Sequence, residues 1–448
     1  MIRRNGLKIA IDARVTPGVS GGVGQAVLSL VSGLAKLRDG DESYTLIVAS
    51  EEQREWLRPF TASNQTFVTL ATSARFGGAA SGKRPLNRVI NYIRKRIAVR
   101  SIRWPKVPIS DGFFESLGCD CIHFPTQKFV LCAMPSVYNP HDLQHLHYPQ
   151  FFTAADIAKR ETIYRAGCHY ARTVVVGSQW IKDDVQRQYG VGPDKVQVIP
   201  ECPAIQSVTD PTVAYLNEVK DKYRLEAPFA IYPAVAWPHK NHLALLEALA
   251  YLRDSQRLTI PLVCTGSHYE PHWPRIEQRI DELDLKRQVR FLGFVPEAEL
   301  RAIYRLSQFL IQPTLFEASS LPIFEAWFEG TPVACSNVTA LPDQVMDAAL
   351  LFDPTDVGAI ASAAARMATD GVLRGDLRER AYARLGDFDS ERTARAYRAV
   401  YRRAAQLPLD EEDRWLLSWD WMRHPQRELE TGYDERTIHS GSGTRPGW

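Results

Sequence analysis

Thr314-Leu315-Phe316-Glu317-Ala318-Ser319-Ser320-Leu321-Pro322-Ile323-Phe324-Glu325-Ala326 is the stretch that decides how the chain folds. The apolar run Phe309-Leu310-Ile311 leads into it, and residues 323–328 continue with apolar side chains at helical spacing. A short apolar run, a polar turn and a periodic segment read as a buried parallel strand, a tight loop and a helix. Pro322 marks the helix start, where a missing N–H costs nothing. It leaves Glu317 on the loop and puts Glu325 on the first helical turn. The free N–H groups of such a helix start bind phosphate.

Working outward, the same alternation recurs. Residues 7–13 form a strand, Gly18 to Gly24 a glycine-rich turn, and residues 25–37 a helix carrying Val27, Leu30, Val31 and Leu34 on one face. Strand-like runs follow at 44–49, 67–70, 121–124, 136–138 and 173–176. A second series runs through 229–232, 261–264, 289–292, 309–311 and 332–334, with helical patterns between. Two successive series of this kind predict an α/β chain of two doubly wound, Rossmann-like domains. The predicted boundaries are 1–205, 206–392, and a C-terminal helix crossing back plus a tail over 393–448. Such sheets bind ligands at the carboxyl ends of their strands. Two of them facing each other make a central cleft.

The bulk properties narrow the class. Hydrophobic residues make up 45% and charged residues 24% of the 448, the balance of an ordinary soluble chain. A net charge of +2 gives no global signal for nucleic acid. The seven cysteines, none in a CxxC pair, read as reduced thiols, so the expected location is the cytoplasm. No segment approaches the roughly 18 apolar residues that cross a bilayer. One region departs from mixed charge: residues 83–106 concentrate Lys83, Arg84, Arg88, Arg94, Lys95, Arg96, Arg100, Arg103 and Lys106. Leu86, Val89, Ile90, Ile93 and Ile97 share one helical stripe there. This is either a helix packed on its own domain or a peripheral contact with an anionic membrane face or lipid-diphosphate acceptor. Nucleic acid is disfavoured, because no aromatic platform accompanies the charge.

The polar residues at strand ends suggest a chemistry. A nucleotide-sugar site must neutralise a diphosphate, grip a ribose and orient a sugar. Glu317 and Glu325 suit the sugar and ribose hydroxyls. Gly21 and Gly22 allow close backbone approach to phosphate, although a tight turn needs the same glycines. Lys240, between a strand and a helix, is a phosphate grip or an ordinary surface lysine. His141 follows a first-domain strand and either faces the cleft or serves structure. His145 and His147 extend that loop without a metal-ligand cluster.

The segment Glu317-Ala318-Ser319-Ser320-Leu321-Pro322-Ile323-Phe324-Glu325-Ala326, with Gly330-Thr331-Pro332-Val333, resembles the E-x7-E signature of retaining glycosyltransferases of family 4, enzymes of GT-B fold. Gly21-Gly22-Val23-Gly24, His141-Asp142-Leu143-Gln144-His145, Val176-Gly177-Ser178, Trp237-Pro238-His239-Lys240-Asn241-His242 and Phe291-Leu292-Gly293 fit in the same order. The Trp-Pro-His-Lys-Asn-His and His-Asp-Leu-Gln-His segments look most like mannosyltransferases of surface polysaccharide assembly. The resemblance implies a catalytic His141 and Glu317. It implies donor contacts from Gly21, Gly22, Lys240, Ser320, Leu321 and Glu325, with no cofactor and no metal. The expected partners are a nucleotide sugar, GDP-mannose foremost, and a glycan or lipid-linked acceptor. An epimerase or hydrolase of the same fold and a non-catalytic nucleotide-sugar scaffold are the alternatives. Family members commonly read E-G-F-G-L-P, whereas Ala318, Ser319 and Ser320 stand here, and the usual Arg shortly before the Lys has no counterpart. Ser320 in place of glycine predicts an altered loop around the donor sugar.

Overall fold

A computed structural model describes residues 6–16, 21–70, 106–202, 210–226 and 228–418. The basic segment through Arg103 and the tail beyond Ser418 lie outside the described residues. The chain divides into two compact units. One holds the described residues up to Val176, Lys182–Gln197 and Ala394–Ser418; the other holds Gly177–Ile181 and Val198–Thr393.

The first unit is built on seven strands: β1 (Lys8–Asp12), β2 (Ser43–Val48), β3 (Gln65–Thr69), β4 (Cys121–Phe124), β5 (Ser136–Tyr138), β6 (Thr173–Val176) and β7 (Val196–Val198). Their spatial order is β3-β2-β1-β4-β5-β6-β7. β1 pairs in parallel with both β2 and β4, so the chain winds outward in one direction from β1 and in the other from β4. The strands are buried runs such as Ile9, Ile11, Ile122 and Val174, the composition of a parallel sheet covered on both faces.

The second unit has six strands: β8 (Ala230–Pro233), β9 (Leu262–Thr265), β10 (Val289–Phe291), β11 (Phe309–Gln312), β12 (Val333–Ser336) and β13 (Leu350–Phe352). The order β10-β9-β8-β11-β12-β13 repeats the same plan, with β8 and β11 adjacent and parallel at the reversal. Two hydrophobic layers cover the sheet. One gathers Leu245, Leu249, Ile276 and Ile360; the other gathers Ile303, Ile323, Phe324 and Trp327. Burying side chains of this size contributes about 1.5–3 kcal/mol each. β7 and β13, three residues each, are strands that sequence periodicity did not single out.

The helix Ser390–Ala404 contributes its residues from Ala394 onward to the first unit. Arg398 pairs with Asp39 at 2.7 Å and Arg402 with Glu42 at 2.6 Å. Tyr401 and Tyr397 close a buried chain of hydrogen bonds. The Tyr401 hydroxyl meets His123 Nδ1 at 2.8 Å, His123 Nε2 meets Asn139 Oδ1 at 2.8 Å, and Asn139 Nδ2 donates to the Tyr397 hydroxyl at 3.0 Å. The short helix Glu411–Ser418 docks on the same unit, with Gln197 Nε2 donating to the Leu417 carbonyl at 3.0 Å. Among the described residues no helix is long and apolar enough to cross a membrane.

Candidate active site

In the second unit, the crevice at the sheet's reversal lies beyond the carboxyl ends of β8 and β11, where doubly wound sheets bind ligands. Lys240 follows β8 and Glu317 follows β11. The structure brings them together: Lys240 Nζ donates to Glu317 Oε1 at 2.5 Å. Both side chains are mostly shielded, at 21% and 11% exposure.

The backbone explains why they meet. After β8 the chain turns through the short helix Pro238–Lys240, ended by Asn241 in the left-handed region. The Tyr232 hydroxyl donates to the Lys240 carbonyl at 2.7 Å, and Asn241 Nδ2 to the Pro354 carbonyl at 2.9 Å. The His239 carbonyl accepts from Leu315 N at 2.7 Å and from Thr314 Oγ1 at 3.2 Å, tying this turn to the loop after β11. Glu317 is gripped on both sides of its backbone by Thr339, whose Oγ1 accepts from Glu317 N at 3.0 Å and donates to its carbonyl at 2.5 Å.

Three residues that sequence reading missed hold this loop: Gln312, Thr339 and Gln344. Gln312 Nε2 reaches Glu317 Oε1 at 3.2 Å, and its Oε1 accepts from Ser320 Oγ at 2.9 Å. Gln344 makes two bonds to the Ser320 backbone, at 2.8 Å each. Gln312 was detectable in principle, as a polar side chain closing a buried apolar strand. Gln344 and Thr339 carry no local signal.

Ser320 adopts φ −121°, ψ 101°, an extended backbone open to any residue. The glycine freedom expected at this position is therefore not needed, and the hydroxyl bonds Gln312 instead. The serine turns inward and fixes the loop.

The helix after the loop is Leu321–Phe328, with Pro322 as its second residue. Glu325 is its fifth residue and so stands in the second turn, not the first, because the helix begins before the proline. The Tyr304 hydroxyl donates to Glu325 Oε2 at 2.8 Å. Burial raises the Glu325 carboxyl pKa above its ordinary value, against the lowering effect of that bond. Leu321, the first helical residue, is buried. Past the helix end at Phe328, Gly330 with φ +74° closes the turn, Gly330 N bonded to the Trp327 carbonyl at 3.0 Å and Thr331 N to that of Ala326 at 2.8 Å.

The remaining sequence candidates belong to the first unit. Gly21 and Gly22 open the helix Gly21–Lys36; Gly21 has φ +52°, and a Cβ on either residue meets nothing within 4 Å. His141 follows β5 with φ +63°, an uncommon conformation for a residue with a side chain. Its Nε2 lies 2.9 Å from the Pro125 carbonyl, so that nitrogen donates. Backbone strain of this kind gathers at functional sites. The other two histidines of the loop serve structure: His145 pairs with Glu161 and His147 with Asp184, both at 2.8 Å. Among the described residues no cluster of three or more His, Cys, Asp or Glu side chains could hold a metal.

Comparison with known proteins adds the family. Residues 20–202 match the model described as Glycosyltransferase Family 4, and residues 217–384 match that of Glycosyl transferases group 1. The chain is 29% identical over 226 residues to O-antigen chain mannosyltransferase B of Escherichia coli, covering 50% of this chain and 58% of that protein. It is 30% identical over 189 residues to the serotype-specific mannosyltransferase WbdA of Escherichia coli, covering 42% of this chain and 23% of that protein. The chain thus spans about half or less of the length of these relatives. In fold it is similar to Anabaena Alr3699/HepE, solved in complex with UDP and glucose, with TM-score 0.63 at 16% identity, covering 89% of this chain and 100% of that one. It is also similar to sucrose-phosphate synthase from Thermosynechococcus elongatus, with TM-score 0.63 at 20% identity, covering 89% and 98%. With matching models over residues 20–202 and 217–384, the chain belongs to the glycosyltransferases of family 4.

Proposed function

We propose that this protein transfers a mannosyl residue from GDP-mannose to a glycan or lipid-linked acceptor, with retention of configuration and without a metal. The observation that carries the reading is the pairing of Lys240 with Glu317 at the reversal of the second sheet, beside the start of the helix Leu321–Phe328. Lys240 supplies a cation for the donor diphosphate, and the helix start, around the Leu321 amide, supplies dipole and N–H groups. The backbone N–H groups at Gly21 and Gly22, at the start of the helix Gly21–Lys36, are further phosphate donors in this reading. The Glu317 carboxylate accepts hydrogen bonds from sugar hydroxyls, and Glu325 accepts them from the ribose. His141 hydrogen-bonds the donor sugar. Ser320 acts through the loop that it fixes. The mannosyltransferase relatives support the choice of sugar.

For the chemical step, the acceptor oxygen bonds the anomeric carbon on the face that the phosphate leaves. The departing phosphate oxygen takes the acceptor proton. The basic segment 83–106 supports work at the inner membrane face; flotation with anionic liposomes, unchanged by charge reversal of Arg94, Lys95 and Arg96, sinks that element.

The test is a panel of nucleotide sugars assayed by thermal shift and then by transfer. GDP-mannose should stabilise the protein most, as a ligand binding only the folded state must. Donor turnover should be slow without acceptor and unaffected by chelators. Stabilisation by UDP-sugars alone overturns the donor; fast acceptor-free epimerisation or hydrolysis overturns transfer.

A further inference from the structure

The first sheet has its own reversal, between β1 and β4, and beyond those strand ends opens a cavity of about 400 Å³. Its wall carries four cations: Arg14 after β1, Lys128 after β4, and Lys159 and Arg160 on the helix Ala154–Tyr170. One carboxylate, Asp156, lines it and is turned to its own helix start, where Oδ2 accepts from Thr153 Oγ1 at 2.6 Å. Arg14 is fixed by a two-bond pair with buried Asp12, at 2.6 and 2.7 Å. Lys128 Nζ donates to the Arg14 carbonyl at 2.9 Å. Arg160 donates to the Tyr164 hydroxyl at 2.9 Å and lies over the Phe152 ring at 4.8 Å.

Among the described residues no carboxylate pairs with Lys128, Lys159 or Arg160. Around this crevice Lys128, Lys159 and Arg160 outnumber the one lining carboxylate, Asp156. Burial lowers the Lys128 pKa, and Arg14 and Lys159 beside it act in the same direction, against Asp12. Like charges held together at the usual ligand position of the fold favour an anion, and ammonium and guanidinium groups suit phosphate. Val15, Val23 and Ile163 make the rest of the wall apolar, which suits an organic group carrying that phosphate.

We infer that this cavity binds a phosphate group carried by the acceptor. Calling the ligand an acceptor rests on the proposed transfer reaction; the anion site stands on the cavity. A polyprenyl phosphate and a water-soluble sugar phosphate present the same chemistry.

The full-length protein is titrated with farnesyl monophosphate and with mannose 1-phosphate, alongside farnesol and mannose, and separately with GDP. At least one phosphate should bind, its neutral counterpart at least tenfold more weakly, and added salt should weaken it. Whichever phosphate binds tells lipid from soluble source. Lys128→Ala/Lys159→Ala should weaken phosphate binding at least tenfold while retaining GDP binding and melting temperature. Lys240→Ala should leave phosphate binding unchanged, which separates this cavity from the donor site. Binding of neither phosphate, or binding undiminished in the double variant, overturns the inference. Phosphate binding without any GDP binding upholds it and sinks the donor assignment.

Discussion

Lys240 Nζ and Glu317 Oε1 stand 2.5 Å apart, joining residues that are 77 positions apart in sequence across adjacent strands β8 and β11. The pair balances charge within the crevice; in the proposed reaction a donor diphosphate would compete with Glu317 for the same ammonium. Glu317→Ala should lower kcat at least 100-fold, the scale seen when a group serving developing charge is removed. Lys240→Ala should raise the donor KM at least tenfold. Each single change should also cost about 1–3 kcal/mol of stability, because its partner stays partly buried. Steady-state kinetics and urea unfolding check both; unaltered transfer by Glu317→Ala refutes the assignment.

Ser320 should be worth more as serine than as the glycine common in the family. Its backbone needs no left-handed freedom, and Ser320→Gly leaves Gln312 Oε1 without its donor. The expected loss is about 1–2 kcal/mol from the hydrogen bond and the added freedom of the unfolded chain. Urea unfolding measures it, and a gain in stability contradicts the finding.

Gly330 is the opposite case. At φ +74° a side chain is strained, and a Cβ would lie 2.5 Å from the Tyr382 hydroxyl. Tyr382 is half exposed and free to swing aside, so backbone strain dominates. Gly330→Ala should cost about 1–2 kcal/mol, and that cost should persist in a Tyr382→Ala background. Thermal melting of the wild type and the three variants tests this; full recovery in the double variant assigns the cost to the clash.

Mild acid should destabilise the protein through His123. Burial lowers the His123 pKa from 6.5 to about 4. The neutral ring accepts from Tyr401 and donates to Asn139, and protonation leaves the Tyr401 contact with two donors. Between these two values the unfolded chain binds more protons than the folded one, so stability is full above pH 6.5 and falls as pH drops toward 4. The loss should reach at most about 3 kcal/mol, and His123→Gln should flatten it. Denaturant midpoints between pH 7.5 and 4.5 measure the slope.

The architecture was legible because periodicity in β1, β8, β9 and β11 is strong, and because Pro322 and Gly330 bracket one helix with local chemistry. Glu325 was assigned to the wrong turn because a proline tolerates either of the first two helical positions. β7 and β13 were missed although β5 and β10 are equally short, so length alone does not account for the miss. The candidate site was legible as residue types at strand ends. The pairing of Lys240 with Glu317 and the grip of Thr339 and Gln344 arise only when distant loops meet. The cavity around Arg14 and Lys128 was invisible for the same reason, since its four cations come from three separated segments.

The strand order repeated in the two units sets how such a chain can diversify. The loops after β1 and β4 and those after β8 and β11 hang from separate hydrogen-bonded sheets. Insertions and substitutions at one sheet's reversal leave the register of the other intact. A lineage built on this plan can therefore remodel one ligand crevice by loop exchange while inheriting the other unchanged. Exchange of residues 13–16 and 125–130, the loops after β1 and β4, for those of a relative is the smallest graft that would show such modularity.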